Sequence, residues 1–385
     1  MDHILKCHEI IRNNFVHGEN CYLYDDLGRR YIDFESGIWC TALGHNHPRI
    51  TQVIEKQIHD IMHLGTRYPN QKVDETAVEV LDIVGLEGKC VFLSSGSEAV
   101  EFGAQMVRRV TGRKLLLTLS NSYLAAYGSA GNKNPEEWYQ FDWSAQENPG
   151  STRNLDEIPF DQIGGFVFEP GGSGSAFVKF PPKSLVQNIV NRIKQSEGLV
   201  AVNEVTTGMG RTGKWFGFQY YDIQPDIVSI GKGLGNGYPV SAVAIKSEIA
   251  ERIEKSGLHY AQSHQNDPLG CAVAKEVITI MREESLIERG AEVGQLFLES
   301  LIQMTSKYPI VKEARGRGML LALEFQPHEN FSAVTAFQEL YKNRFLVGYY
   351  PSGNILRFDP ALTMEMENIQ RLVDCLEDIL KAVTC

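Results

Sequence analysis

Short apolar runs, most of them rich in β-branched residues, return along this chain at 90–93, 115–119, 166–168, 199–202, 227–230 and 240–245. Between several of them lie segments of helical period. From Pro48 onward, Ile50, Val53, Ile54, Ile58, Ile61 and Met62 fall on one helical face, with proline at a favoured first position. Strands that alternate with helices predict an α/β fold with a mainly parallel sheet. After about residue 267 the texture changes to longer helical patterns, 269–284 and 364–383, around strand candidates at 319–325 and 355–358. This predicts a second, smaller α+β domain. The expected division is a segment 1–45 that joins the smaller domain, a large domain 46–266 and a small domain 267–385. Within 1–45, the residues from Tyr22 to Asp33 resemble a hairpin. The stretch 123–164 shows no clear period and reads as irregular, as binding segments often are.

At 385 residues, with 43% hydrophobic and 22% charged residues, the chain can bury two ordinary cores and has the composition of a soluble globular protein. A formal net charge of −11 argues against a nucleic-acid surface, which needs clustered Lys and Arg. Small-molecule partners are expected instead. No stretch approaches the ~18 apolar residues of a membrane span, and the N-terminus lacks the basic and apolar regions of a signal peptide. The seven cysteines are scattered, odd in number and never form a C-x-x-C pair. They read as free thiols in the cytoplasm, a reducing compartment.

Lys232 stands just beyond the run 227–230 and is followed by alternating glycines. Burial beside an apolar strand lowers a lysine pKa and frees the neutral amine for Schiff-base chemistry; taken alone, the residue is equally a solvated loop lysine. The run 90–93 leads into Ser94-Ser-Gly-Ser-Glu98, where Ser95 and Glu98 form an S-x-x-E capping box. A helix start with a glycine and a free hydroxyl suits a phosphate, although most capping boxes only cap.

Gly208-Met-Gly-Arg-Thr-Gly-Lys214 matches two nucleotide-binding patterns and satisfies neither. The aromatic, glycine-interrupted residues from Trp215 do not open a helix, and Trp215 cannot hold magnesium where a P-loop needs Ser or Thr. Nucleotide binding is therefore a distant alternative. His45 and His47, and His59 and His63, have spacings open to a metal but no ligand set that completes either site. No metal is expected.

Ser95-Gly-Ser-Glu-Ala, Asn203-Glu-Val-Thr-Thr-Gly-Met-Gly-Arg-Thr-Gly and Ile230-Gly-Lys-Gly-Leu-Gly-Asn-Gly-Tyr-Pro, in this order, resemble the class III aminotransferases, pyridoxal-phosphate enzymes of fold type I. The likeness extends to Leu43-Gly-His-Asn-His-Pro and Leu356-Arg-Phe-Asp-Pro-Ala-Leu, nearly the whole chain. The resemblance implies that Lys232 carries the cofactor as an aldimine and shuttles the proton. It implies that Gly96 and Ser97 bind the phosphate, Tyr123 stacks on the ring and Ser263 reaches the phosphate of the neighbouring subunit. It also implies that Arg357 clamps a substrate carboxylate. A shared site of this kind implies a homodimer that acts on amines and oxo acids or aldehydes.

Several positions depart from the family. Asn203 stands where it carries an aspartate that keeps the cofactor's ring nitrogen protonated. A neutral hydrogen bond contributes about 0.5 to 1.5 kcal/mol against about 1.5 to 3 for a charged one, so the ring becomes a weaker electron sink. This leaves open racemisation, epimerisation or other amine chemistry, or a transaminase impaired by Asn203. Glu204 cannot substitute if the segment is extended, because neighbouring strand side chains point to opposite faces. Thr206 replaces a glutamine that contacts the phenolic oxygen. Tyr123-Leu-Ala-Ala126 lacks the substrate arginine of acetylornithine aminotransferases, and Gly174 replaces a glutamate that pairs with the carboxylate-binding arginine in several ω-aminotransferases.

Overall fold

The computed structural model describes residues 3–8, 13–143, 155–171 and 178–384. Its centre is a seven-stranded sheet in the order Gly88–Leu93, Ser241–Lys246, Ile227–Ile230, Leu199–Asn203, Ile163–Phe168, Leu115–Leu119, Trp138–Phe141. Only Ser241–Lys246 runs antiparallel to its neighbours; the other pairs are parallel. The expected mainly parallel α/β architecture is therefore present, and each predicted run of the large domain is a strand. The strand Trp138–Phe141 corrects the reading of 123–164 as wholly irregular.

Successive residues of these strands feed two different cores, as a pleated strand covered on both faces must. Val91, Leu93, Ala201 and Val243 pack on one side, with Val100, Phe102 and Val107 of the helix Gly96–Thr111. Phe92, Val200, Val202, Ala242 and Ala244 pack on the other, with Val186, Ile189 and Val190 of the helix Lys183–Gln195. The helix Pro48–Asp60 also forms, but its inner face differs in detail from the expected one. Ile50 and Gln57 are buried, whereas Ile58 and Met62 are exposed. Gln57 Nε2 donates to the carbonyl of Ile61 at 2.8 Å and so closes the end of that helix.

A second, antiparallel sheet has the order Val311–Arg317, Leu320–Phe325, Ile355–Phe358, Gly348–Tyr350. The N-terminal strands Phe15–Glu19, Tyr22–Asp25 and Arg30–Asp33 form an antiparallel meander, and Phe345–Leu346 adds to it in parallel through Arg30–Asp33. The short helical turn Ser36–Trp39 follows, and all four of its residues have positive φ: 42°, 59°, 59° and 67°. For L-residues this costs roughly 1–2 kcal/mol each, and most for the β-branched Ile38. Asp33 Oδ1 holds the turn by accepting from the amides of Glu35 at 2.8 Å and Ser36 at 3.1 Å. Ser36 Oγ donates to the carbonyl of Asp359 at 2.5 Å, which fastens the turn to the second sheet.

Candidate active site

Parallel strands present their C-terminal ends together, and in open α/β sheets ligands bind there. Here the strand Gly88–Leu93 leads to Ser95, Gly96 and Ser97, and Leu199–Asn203 delivers Asn203, Val205 and Thr206. Leu115–Leu119 leads to Tyr123, and Ile227–Ile230 to Lys232. The antiparallel sheet adds Arg357 and Tyr350, and the left-handed turn adds Ile38 and Trp39. With Leu124 these residues line one cavity of about 340 Å³.

Lys232 has a φ of 45°, and its Nζ donates to Thr206 Oγ1 at 2.7 Å and lies 4.6 Å from the centre of the Trp39 ring. Burial pulls its pKa from 10.5 down to about 8, since a charged ammonium loses its hydration there. At neutral pH the amine is thus still mainly protonated, but its neutral fraction is far above that of an ordinary lysine.

The helix Gly96–Thr111 opens on the predicted capping box. Ser95 Oγ accepts from the amide of Glu98 at 3.2 Å, and Glu98 Oε2 accepts from the amides of Ser94 at 3.0 Å and Ser95 at 2.8 Å. The cap leaves the amides of Gly96 and Ser97, at the first helical positions, without an intrahelical partner. A Cβ on Gly96 would lie 2.4 Å from Val205 Cγ1, so only glycine lets the helix start sit this close to the strand ends. Ser97 Oγ accepts from the amide of Ala126 at 2.9 Å.

Asn203 is buried at the cavity wall. Its Nδ2 donates to the Tyr123 carbonyl at 3.1 Å and its Oδ1 accepts from the Val205 amide at 3.1 Å. Both ends of the amide are therefore used, and an aspartate could not make the first bond. One N–H and one oxygen lone pair remain. Glu204 faces elsewhere: it accepts from Thr207 Oγ1 at 2.7 Å and from the amides of Gly217 at 2.9 Å and Phe218 at 2.7 Å. Burial raises its pKa to about 7 against those three donors.

Lys232, Gly96, Ser97, Tyr123, Asn203, Thr206 and Arg357 thus meet in one place, whereas Ser263 lies exposed and outside this cavity of the single chain. Its neighbour Gln262 ties that loop to the helix start, donating to Ser94 Oγ at 3.1 Å and Glu98 Oε1 at 3.0 Å. Gly174 lies outside the described residues. Gly208-Met-Gly-Arg-Thr-Gly213 is a buried loop with no helix opening on it, unlike a phosphate cradle. His63 lies beyond the end of the helix Pro48–Asp60, so it is not one helical turn from His59 as the spacing suggests, and it meets His264 and Asp267. The Nδ1 atoms of the two rings lie 3.0 and 2.9 Å from separate oxygens of Asp267.

Sequence reasoning missed Glu35, Tyr350 and Asp359, the groups around Arg357. The Arg357 Nε donates to Asp359 Oδ1 at 2.7 Å, Nη1 to Tyr350 Oη at 3.0 Å and Nη2 to Glu35 Oε1 at 2.8 Å. Asp359 was legible in principle, because positions two apart on a strand share a face.

Comparison with known proteins agrees with this fold. The family description Aminotransferase class-III matches residues 7–128 and 135–380. An acetylornithine aminotransferase of Aquifex aeolicus is 27% identical, over 99% of this chain and all of that one. Among solved structures, an acetylornithine aminotransferase from Elizabethkingia anophelis has a TM-score of 0.87 at 24% identity, covering 99% of this chain and 96% of its own. An S-selective transaminase from Arthrobacter sp. has a TM-score of 0.91 at 22% identity, covering 99% and 96%. The chain belongs to the class III aminotransferase family and is an enzyme that transfers amino groups.

Proposed function

We propose that this aminotransferase works with pyridoxal 5′-phosphate held between Lys232 and the helix start at Gly96. One observation carries the reading: a single cavity joins a desolvated lysine amine to the uncapped amides of a helix N-terminus. The amine is what the cofactor's aldehyde requires, and the amides with the helix dipole are what its phosphate requires. When bound, the cofactor supplies an electrophilic carbon for the substrate amine and a ring that withdraws electrons from it.

The chain's own residues do the rest. Thr206 Oγ1 holds Nζ of Lys232, so the amine that accepts and returns a proton is fixed against the cavity wall. Tyr123 and Val205 border the space where a planar ring would sit, and Tyr123 is kept in place by Glu169, whose Oε2 accepts from its amide at 2.9 Å. Asn203 would offer a ring nitrogen either its remaining N–H or its remaining lone pair. Its amide would therefore suit a neutral ring nitrogen as well as a protonated one. Because its amide is matched to the Tyr123 carbonyl and the Val205 amide, we read Asn203 as fitted to this site rather than as a lesion.

The partners are an amine or amino acid and an oxo acid or aldehyde. Ala126, where acetylornithine aminotransferases carry a substrate arginine, argues for a donor other than acetylornithine. We further propose a homodimer in which the exposed Ser263 faces a second copy's site; the exposed Ile38 and Tyr123 at the cavity support a covering partner there. A cytoplasmic location agrees with the six free cysteines among the described residues. Purified protein should be yellow, and borohydride should fix the chromophore on the peptide containing Lys232. A colourless protein that pyridoxal phosphate does not reconstitute, or a Lys232→Ala variant fixed to the same extent, refutes the reading.

A further inference from the structure

His63, His264 and Asp267 come together outside the cavity around Lys232, and none of the three lines it. Spacing alone completes no ligand set for His63; the fold supplies one from Asp267, 204 positions away, and from the loop before it. The Nδ1 atoms of His63 and His264 lie 3.0 and 2.9 Å from separate oxygens of Asp267. One ligand atom from each residue falls within 4.8 Å of the others. The two rings cross at 55° with centres 4.9 Å apart, so they converge on the carboxylate rather than stack. Zinc held tetrahedrally by nitrogen and oxygen at about 2.0–2.2 Å sets its ligand atoms roughly 3.4 Å apart. Both nitrogen-to-carboxylate distances already allow this. Only the imidazoles must draw together, and rings that are 42% and 61% exposed do so by rotating.

The carboxylate is held in place by its own loop. Asn266 Oδ1 accepts from the amide of Phe92 at 2.9 Å, and the Asn266 amide donates to the Phe92 carbonyl at 3.0 Å, which pins the loop to the strand Gly88–Leu93. Asp267 stands at the N-cap of the helix Pro268–Glu283, yet its side chain makes no capping bond. An aspartate there ordinarily accepts from an amide of the first turn; here both oxygens face imidazoles instead. His264 and Asp267 also border a cavity of about 220 Å³ with Ser94 and Tyr238, which leaves room for ligand waters. Two imidazoles and one carboxylate are a donor set for zinc, cobalt or nickel, whereas magnesium and calcium favour oxygen alone.

We infer that His63, His264 and Asp267 bind a divalent transition metal, zinc foremost, with water completing its shell. Each imidazole gives the ion its Nδ1 lone pair, and a proton on that nitrogen moves to Nε2 or to solvent. The ion clasps the segment after the helix Pro48–Asp60 to the loop that carries Ser263 and to the start of the helix Pro268–Glu283. Because the unfolded chain does not hold the three residues together, binding stabilises the fold. The inference needs neither the cofactor nor the substrate reading.

The test is calorimetric titration of zinc chloride into the purified full-length protein after removal of metal with a chelator. One ion per chain should bind with a Kd of about 10 μM or below, and magnesium should give no saturable heat. His63→Gln and His264→Gln should each weaken zinc about tenfold or more, with unchanged circular dichroism because both rings are exposed. Asp267→Asn, which keeps the shape and removes the charge, gives a third reading should a histidine variant fail to fold. Saturating zinc should raise Tm in the wild type and leave His264→Gln unmoved. Cobalt at one equivalent should show visible bands without a thiolate charge-transfer band. No saturable zinc binding, or a Kd unchanged in the variants, leaves only a hydrogen-bonded triad and overturns the inference. A thiolate band with cobalt assigns the ion to a cysteine and overturns it as well.

Discussion

The depressed pKa of Lys232 makes a quantitative prediction about reactivity. Burial moves it from 10.5 to about 8, a shift of about 2.5 units or about 3 kcal/mol. At pH 7 about one amine in ten is then neutral, against about one in three thousand for an ordinary lysine, a gain of about 300-fold in the nucleophilic form. Trace acetylation with acetic anhydride, followed by mass spectrometry of the Lys232 peptide, reads the neutral fraction directly. In the cofactor-free protein the extent should rise from pH 6 and reach half its plateau near 8. The same peptide in concentrated guanidinium, where burial is gone, should reach half near 10.5. A folded profile that still climbs steeply at pH 10 refutes the argument that desolvation prepares this amine.

The linkage has a definite sign. Between about pH 8 and 10.5 the unfolded chain binds more protons at this residue than the folded one. Stability from this group therefore rises with pH through that window and is flat below it. Lys232→Met should be relatively most stable at neutral pH, and its advantage over the wild type in guanidinium unfolding should shrink towards pH 10.

Three further substitutions test the frame. Asn203→Asp removes the donor to the Tyr123 carbonyl and should destabilise the cofactor-free protein by about 1–3 kcal/mol in chemical unfolding; equal or greater stability would count against Asn203 as a fitted residue. Gly96→Ala drives a Cβ into Val205 and should raise the Kd for pyridoxal phosphate about tenfold with an unchanged circular dichroism spectrum, whereas an unchanged Kd would reject the helix start as the phosphate cradle. Arg211 is buried and donates to Ser36 Oγ at 3.1 Å and to the carbonyls of Met319, at 3.1 Å, and Pro360. Arg211→Met should cost about 3–5 kcal/mol or abolish folding, and a loss below about 1 kcal/mol would show that these bonds do not hold the left-handed turn in place.

Which parts of this molecule were legible in its sequence follows from the range of the forces involved. The strand Leu199–Asn203 is buried on both faces, so its apolar run is unmistakable and its end locates Asn203. Lys232 and Gly96 stand out in the sequence because glycines and a capping box report local backbone needs, and both line the cavity. The strand Trp138–Phe141 was missed because it is a short edge strand with only its two end residues buried. Its existence depends on pairing with Leu115–Leu119, a contact that periodicity does not encode.

The corner around Arg357 shows the same limit with more consequence for function. Arg357 was identified from a motif, and Asp359 shares its strand face. Glu35, however, is 322 positions away in sequence and stands immediately before four successive residues that turn left-handed. Nothing in Glu35-Ser-Gly-Ile-Trp39 advertises that turn, since only Gly37 favours positive φ. Its strain is held by Asp33, by the Arg211 bond to Ser36 and by the Ser36 bond to the Asp359 carbonyl. The part of the site that would choose the substrate is thus assembled by tertiary contacts, whereas the part that would hold the cofactor is written in consecutive residues. The family likeness therefore extends to the chemistry more securely than to the amine on which it is performed.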